Sequence, residues 1–260
     1  MKHFPILRAA RFTLQLKELS FSAAIAVASI PDHLFEAETT LFLQHAIAEV
    51  SQGIADPLDW TVQERMLAVS SYLCSVSDDG PNFAVSGVEN SAKYFDYVDM
   101  QNDYKLDSVF AGEIGGDQWH LAQLTGRMAE SIERLEGEIE GIEPRLHWQL
   151  GAMAAQLHIE NELPPVFETD GQYDEWLLGK MRVFFEYPET EFNQLIHAYY
   201  LGMAQLKHLF SIKFSDDGIV AEQTSEAVGD LPPARFPTST CLTPFALAMA
   251  GKPDRNGSKP

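Results

Sequence analysis

The stretch DPLDWTVQERMLAVSSYL, Asp56 to Leu73, carries the clearest local signals in the chain. Asp56-Pro57 marks a turn. Thr61 and Glu64 have the spacing of a capping box, in which each side chain accepts a hydrogen bond from a backbone N–H left free at a helix start. Met66, Leu67, Val69, Tyr72 and Leu73 then recur at helical spacing, so the sequence predicts a helix with one buried face. Trp60 stands just before the cap, where an apolar residue can staple onto the helix near Arg65 and Met66.

Upstream, Arg11 to Leu19 (RFTLQLKEL) places Phe12, Leu14 and Leu16 on one face and polar residues on the other, the period of a half-buried strand. Ser20 offers an N-cap for a short helix over Phe21 to Ile30. Pro31, Asp32 and Glu36 suit the start of a second helix, expected to run to about Val50. Leu34, Leu41, Phe42, His45 and Ile47 should lie on or near its buried face.

Downstream, the composition shifts after Val76. Residues 83–117 mix Tyr94, Phe95, Tyr97, Tyr104 and Phe110 with Asp96, Asp99, Asp103 and Asp107. Such a segment forms either short strands packed on the core or an exposed loop with the aromatic anchors that interfaces favour. Leu121, Leu124, Met128, Ile132 and Leu135 predict a long helix from Asp117 to Leu135. Further helices fit His147 to Asn161, Tyr173 to Tyr187, and Thr190 to about Leu209. Phe210 to Glu222 alternates around Asp217-Gly218, a β-hairpin signal. That hairpin is expected to pair with the N-terminal strand or to fold on the helices. The Pro-rich remainder reads as an extended tail in which Leu242 to Met249, including Phe245 and Leu247, forms a short docking helix.

The fold class expected from this pattern is mainly α (α+β). It comprises a strand–helix module over 1–82, a helical portion with an acidic and aromatic insert over 83–222, and the tail over 223–260.

The net charge of −20, from 38 acidic against 18 basic residues, disfavours nucleic acid and anionic membranes as partners. Cys74 and Cys241 are the only cysteines and do not make a disulfide framework, so both are expected as free thiols. The most apolar run, Phe21 to Ile30, is too short to span a bilayer, and no signal peptide is evident. A soluble, cytoplasmic protein is expected.

Candidate chemistry is sparse. Gly-x-Ser-x-Gly and phosphate-binding glycine loops are absent, and no cofactor is expected. HWQLGAMAAQLH (147–158) and HAYYLGMAQLKH (197–208) are alike, each with histidines eleven residues apart, and are a candidate trace of internal duplication. Helices carrying His147, His158, His197 and His208, with Glu160 and Glu162 nearby, are the one candidate metal site. Without the tight Glu-x-x-His spacing, a metal-dependent helical hydrolase stays the alternative reading, beside a cytosolic adaptor or regulatory protein.

The elements RFTLQLKEL, LSFSAAIAVASIP and DPLDWTVQERMLAVSSYL resemble, over roughly residues 10 to 80, tail-assembly and baseplate-associated proteins of tailed bacteriophages. The resemblance implies a non-catalytic chaperone or minor structural component. Its partners would be other tail or baseplate proteins, or further copies of itself. It would work in the host cytoplasm during assembly, with the virion tail as its second expected location. Tyr94, Phe95, Tyr97, Tyr104, Phe110, Phe245 and Leu247 are the candidate partner-binding residues.

Overall fold

The structure, a computed structural model, describes residues 2–85, 92–104, 106–162, 165–224 and 230–252. It opens with a β-hairpin, β1 (Ile6–Ala9) and β2 (Phe12–Leu16), followed by α1 (Phe21–Ala28), α2 (Phe35–Ala46) and β3 (Ile47–Gly53). β3 returns antiparallel beside β2 to complete a three-stranded sheet. As the alternation predicts, Phe12, Leu14 and Leu16 are buried. Ser20 caps α1 by accepting from the Ala23 amide.

Helix α3 (Val62–Val76) follows, with Thr61 and Glu64 forming the capping box read from the sequence. Trp60 is fully buried, stacked on Phe12 at 4.6 Å, and its Nε1 donates to the Ile54 carbonyl. The tryptophan therefore pins the helix start to the first sheet.

After the short β4 (Val98–Asp99) the opening topology recurs. The hairpin β5 (Ser108–Ile114) and β6 (Asp117–Ala122) leads to α4 (Gly126–Arg134), α5 (Pro144–Gln156) and β7 (Leu157–Ile159), and β7 lies antiparallel beside β6. The two units meet where their following and internal helices begin. Thr61 and Thr125 form an antiparallel bridge, with Val62 N donating to Leu124 O (3.0 Å) and Gly126 N to Trp60 O (2.9 Å). Helix α2 of the first unit also packs against α4 of the second.

Of the two long helices that follow, α6 (Asp170–Phe185) packs on α4 and α5, and α7 (Glu189–Leu206) packs on β5 and β6 of the second sheet. The hairpin β8 (Leu209–Ser215) and β9 (Gly218–Glu222) then joins β4 in a third sheet of order β4-β8-β9. The predicted hairpin is present, but its partner is β4 and not the N-terminal strand. Ala234 bridges back to β9, Phe236 packs among Phe83, Tyr94, Tyr97 and Phe210, and α8 (Pro244–Met249) lies on α1. One hydrophobic cluster draws residues from all three segments distinguished in the sequence.

A mainly α fold does not hold. The chain is 45% helix and 22% strand, an α/β mixture with three small sheets among the described residues. Two causes account for the difference. The helices expected to reach Val50 and Asn161 end at Ala46 and Gln156, and each chain turns directly into a strand without an intervening loop. The helix expected over 117–135 begins only at Gly126, because Thr125 caps it by accepting from the Met128 amide. The preceding residues pair as β6 around the Gly115-Gly116 turn, where both glycines have positive φ.

The two histidine-bearing segments do not mark the repeated units: α5 belongs to the second, whereas α7 follows it. Their likeness has a packing cause. A Cβ on Gly151 would stand 2.7 Å from Ile132 Cγ2, and one on Gly202 would stand 2.8 Å from Leu121 Cδ2. Each helix uses its glycine for close approach to a neighbour.

Candidate functional site

The four candidate metal-binding histidines are dispersed. His147 is buried, with Nε2 2.7 Å from the Ile132 carbonyl at the end of α4. His158 lies on β7 opposite His120. His197 is exposed on α7. His208 is buried, with Nε2 3.0 Å from Thr61 Oγ1. Among the described residues, no group of three His, Cys, Asp or Glu could hold a metal ion. Cys74 and Cys241 are free, and burial pushes both thiols above their ordinary range, against reactive thiolates.

The candidate partner-binding residues divide in two. Tyr94, Tyr97 and Leu247 are buried in the chain's own core, so they are corrected to structural residues. Tyr97 Oη also donates to the Pro232 carbonyl. Phe95, Tyr104, Phe110 and Phe245 are exposed. Phe245, 65% exposed, stacks on Phe21, 48% exposed, with ring centroids 5.5 Å apart. Met249, one turn further along α8, is exposed as well.

A buried charge network sits at the seam between the repeated units. Helix α2 lacks a side-chain cap of its own. The Glu133 carboxyl on α4 supplies it, accepting from Glu36 N (2.8 Å) and Ala37 N (3.2 Å). Arg65 on α3 donates through Nη2 to Glu36 O (2.6 Å) and faces the Glu36 carboxylate at 3.4 Å. Arg235 lies over the Phe35 ring at 3.9 Å. Burial, reinforced by the Glu36 charge, pushes Glu133 up to about 8. Burial also raises Glu36, with Arg65 opposing. The adjoining cavity is about 20 Å³, room for a water-sized group and no substrate. The network therefore holds elements together rather than forming an active site.

A cleft of about 270 Å³ lies between α5, α7 and the β8–β9 hairpin. Gln63, Gln123, Gln149 and Gln156 line it together with Tyr199 and Tyr200. Tyr199 Oη donates to Gln156 Oε1 and Tyr200 Oη to Gln149 Oε1, both at 2.9 Å. Gln123 Nε2 donates to Leu206 O (3.0 Å), tying the end of α7 to the β6–α4 loop. Beside the cleft, Leu209 adopts φ 54°, a left-handed conformation that costs on the order of 1–3 kcal/mol in a non-glycine residue. His208, just before this turn, reaches Thr61 at the cap of α3.

Sequence reading missed this cleft. Its glutamines come from distant positions, and isolated amide side chains carry no periodic signal. The Gln-Leu pairs near the ends of the two similar helices, Gln156-Leu157 and Gln205-Leu206, were the only hint, and just the first contributes its glutamine. Comparison with protein-family models, with curated proteins and with solved structures finds no match to this chain.

Proposed function

We propose that the protein is a tail or baseplate assembly protein of a tailed bacteriophage, a chaperone or minor structural component that acts by binding other proteins rather than by catalysis. The resemblance over residues 10 to 80 motivates this reading, and the exposed Phe21–Phe245 pair carries it. Two stacked aromatic rings held in water, with Met249 close by in sequence on α8, form the kind of anchor that interfaces bury. Phe21 lies inside the resembling block. The acidic surface keeps such a protein soluble and disfavours nonspecific contacts. The partner is a tail or baseplate protein, met in the host cytoplasm during assembly.

The test is co-purification of tagged protein from phage-infected cells, with retained proteins identified by mass spectrometry. A tail or baseplate protein held by the wild type and weakened roughly tenfold by Phe21→Ser with Phe245→Ser supports the reading. Recovery of no tail or baseplate protein, or equal retention by the double variant, overturns it.

A further inference from the structure

We propose that the Gln/Tyr cleft binds a small sugar acid, a polyhydroxylated molecule with one carboxylate, and that this site is separate from the aromatic pair assigned to protein binding. Three features of the cleft converge on that chemistry.

The first is unmet hydrogen-bonding capacity. Gln63 is 3% exposed and lines the cleft, yet its Oε1 has no hydrogen-bond partner among the described residues. Gln149 Nε2, also buried, has none either. Buried polar atoms are nearly always paired, so an unpaired acceptor and an unpaired donor on two residues that line one cavity leave amides that can turn toward an occupant. An occupant must donate to Gln63 and accept from Gln149. Hydroxyl groups do both. Acetate cannot donate, and a phosphate dianion has one O–H and no neutral hydroxylated end to set against the amides.

The second is charge. The chain carries −20, yet the cleft is lined by Arg145, Lys207 and Lys213 against the single carboxylate of Glu222, a local balance of +2. Lys213 is paired with Glu222. Arg145 and Lys207 are exposed and make no ion pair among the described residues. Two unpaired cations beside an uncharged amide floor place the negative end of an occupant at the mouth and its neutral, hydroxylated end inside.

The third is size and lining. At about 30 Å³ per water-sized group, 270 Å³ accepts a molecule of about monosaccharide size. Leu124, Met203, Leu206 and Phe210 supply an apolar side for the carbon-bearing face of a sugar ring.

Isothermal titration of the full-length protein with D-glucuronate tests this, with D-glucose, acetate and inorganic phosphate as comparisons. Saturable one-to-one binding of glucuronate is expected, with glucose roughly tenfold weaker. Acetate and phosphate should not displace glucuronate at equal concentration. Arg145→Ala with Lys207→Ala, both at exposed positions, should reduce glucuronate affinity to that of glucose. Gln149→Leu should weaken both sugars. Circular dichroism melts establish that each variant is folded. Three outcomes overturn the proposal: no saturable glucuronate binding up to about 20 mM, displacement by acetate or phosphate, or unchanged binding in the folded variants. None of these bears on co-purification with a tail protein, so the two proposals fail separately.

Discussion

The first unit, β1-β2-α1-α2-β3, and the second, β5-β6-α4-α5-β7, share element order and strand pairing, but they present different sheet surfaces. The outer face of β2 carries Thr13 and Gln15, with Arg11 in the turn before it, beside the buried Phe12, Leu14 and Leu16. Across the second sheet, Phe110, His120 and His158 stand in one cross-strand row, with centroids 5.7 and 5.8 Å apart. The helices differ more in their polar content. In the first unit α2 buries Glu36 and Glu38, and it depends on α4 of the second for its cap. In the second, α5 also lacks a side-chain cap, but beside Trp148, Leu150 and Met153 it buries His147 and Gln156 rather than carboxylates. One topology thus supports two kinds of interior, provided the polar one is satisfied from outside.

That dependence is broken most severely at Arg65. Its guanidinium faces Glu36, and a Cβ on Gly126 at the start of α4 would stand 1.9 Å from Nη1, so the side chain fills the seam. Arg65→Met leaves a buried carboxylate without its cation. The expected loss is about 3–5 kcal/mol in urea denaturation at pH 7. It should shrink at pH 5, since burial already raises Glu36 and a lower pH moves it toward the uncharged form. An equal loss at both pH values would show that packing, not charge, joins the units.

The second perturbation uses Glu133. Its folded-state value, near 8, lies above the ordinary 4.5. The folded chain therefore holds a proton that the unfolded chain has released. Stability from this group is complete below about pH 4.5 and is lost as pH rises through about 8. Wild type should lose on the order of 2–4 kcal/mol between pH 5 and pH 8 relative to Glu133→Gln, which keeps an acceptor for one α2 amide. Parallel pH profiles for the two proteins would remove Glu133 from the account.

These residues also show where the sequence was legible. Buried positions were readable: Phe12, Leu14, Leu67, Tyr72, Leu121, Leu124 and Ile132 all lie in the core. Element type was readable where an end carried a local signal, as at Thr61, Ser20 and the Asp217-Gly218 turn. It failed where a helix ran straight into a strand. Ala46-Ile47 and Gln156-Leu157 contain no glycine or proline, and the apolar spacing continues across both junctions, so nothing local marks the change. Pairing with β2 or β6, a long-range interaction, decides those residues. The cap on α2 was invisible for the same reason, since Glu133 lies far along the chain. Partner candidates Tyr94 and Tyr97 misled because an aromatic residue among aspartates looks alike whether it packs inward on Phe236 or faces water.

Glycines sharpen the comparison at the sheets. Gly53 ends β3 at φ 94°, and a Cβ there would lie 2.0 Å from the Arg11 carbonyl oxygen. Gly112 sits at the irregularity in β5, where the nearest atom to a Cβ is Ala198 Cβ at 3.7 Å. Gly53→Ala should cost about 2 kcal/mol or more, because backbone must move as well as adopt an unfavourable φ. Gly112→Ala should cost about 1 kcal/mol, from backbone conformation alone. Equal thermal shifts would mean the first sheet yields more readily than its contacts imply.

The smallest expected difference lies at the paired caps where the units meet. Thr61 and Thr125 face one another across an antiparallel bridge, and each accepts from the amide three residues on. Their surroundings differ. The Thr61 contact is the shorter, 3.2 against 3.4 Å, and Glu64 closes the capping box by accepting from Thr61 N at 2.8 Å. Thr61 Oγ1 also meets His208 Nε2 at 3.0 Å, which links the cap to the strained Leu209 turn. Thr125→Ala removes a cap alone and should cost about 1 kcal/mol. Thr61→Ala removes the cap together with the hydroxyl contact to the buried His208 imidazole, so about 2 kcal/mol is expected. If the histidine contact is the source of the difference, Thr61→Ser, which keeps the hydroxyl, restores most of the stability. A serine variant as unstable as the alanine variant would instead assign the loss to the threonine methyl group packed at the seam.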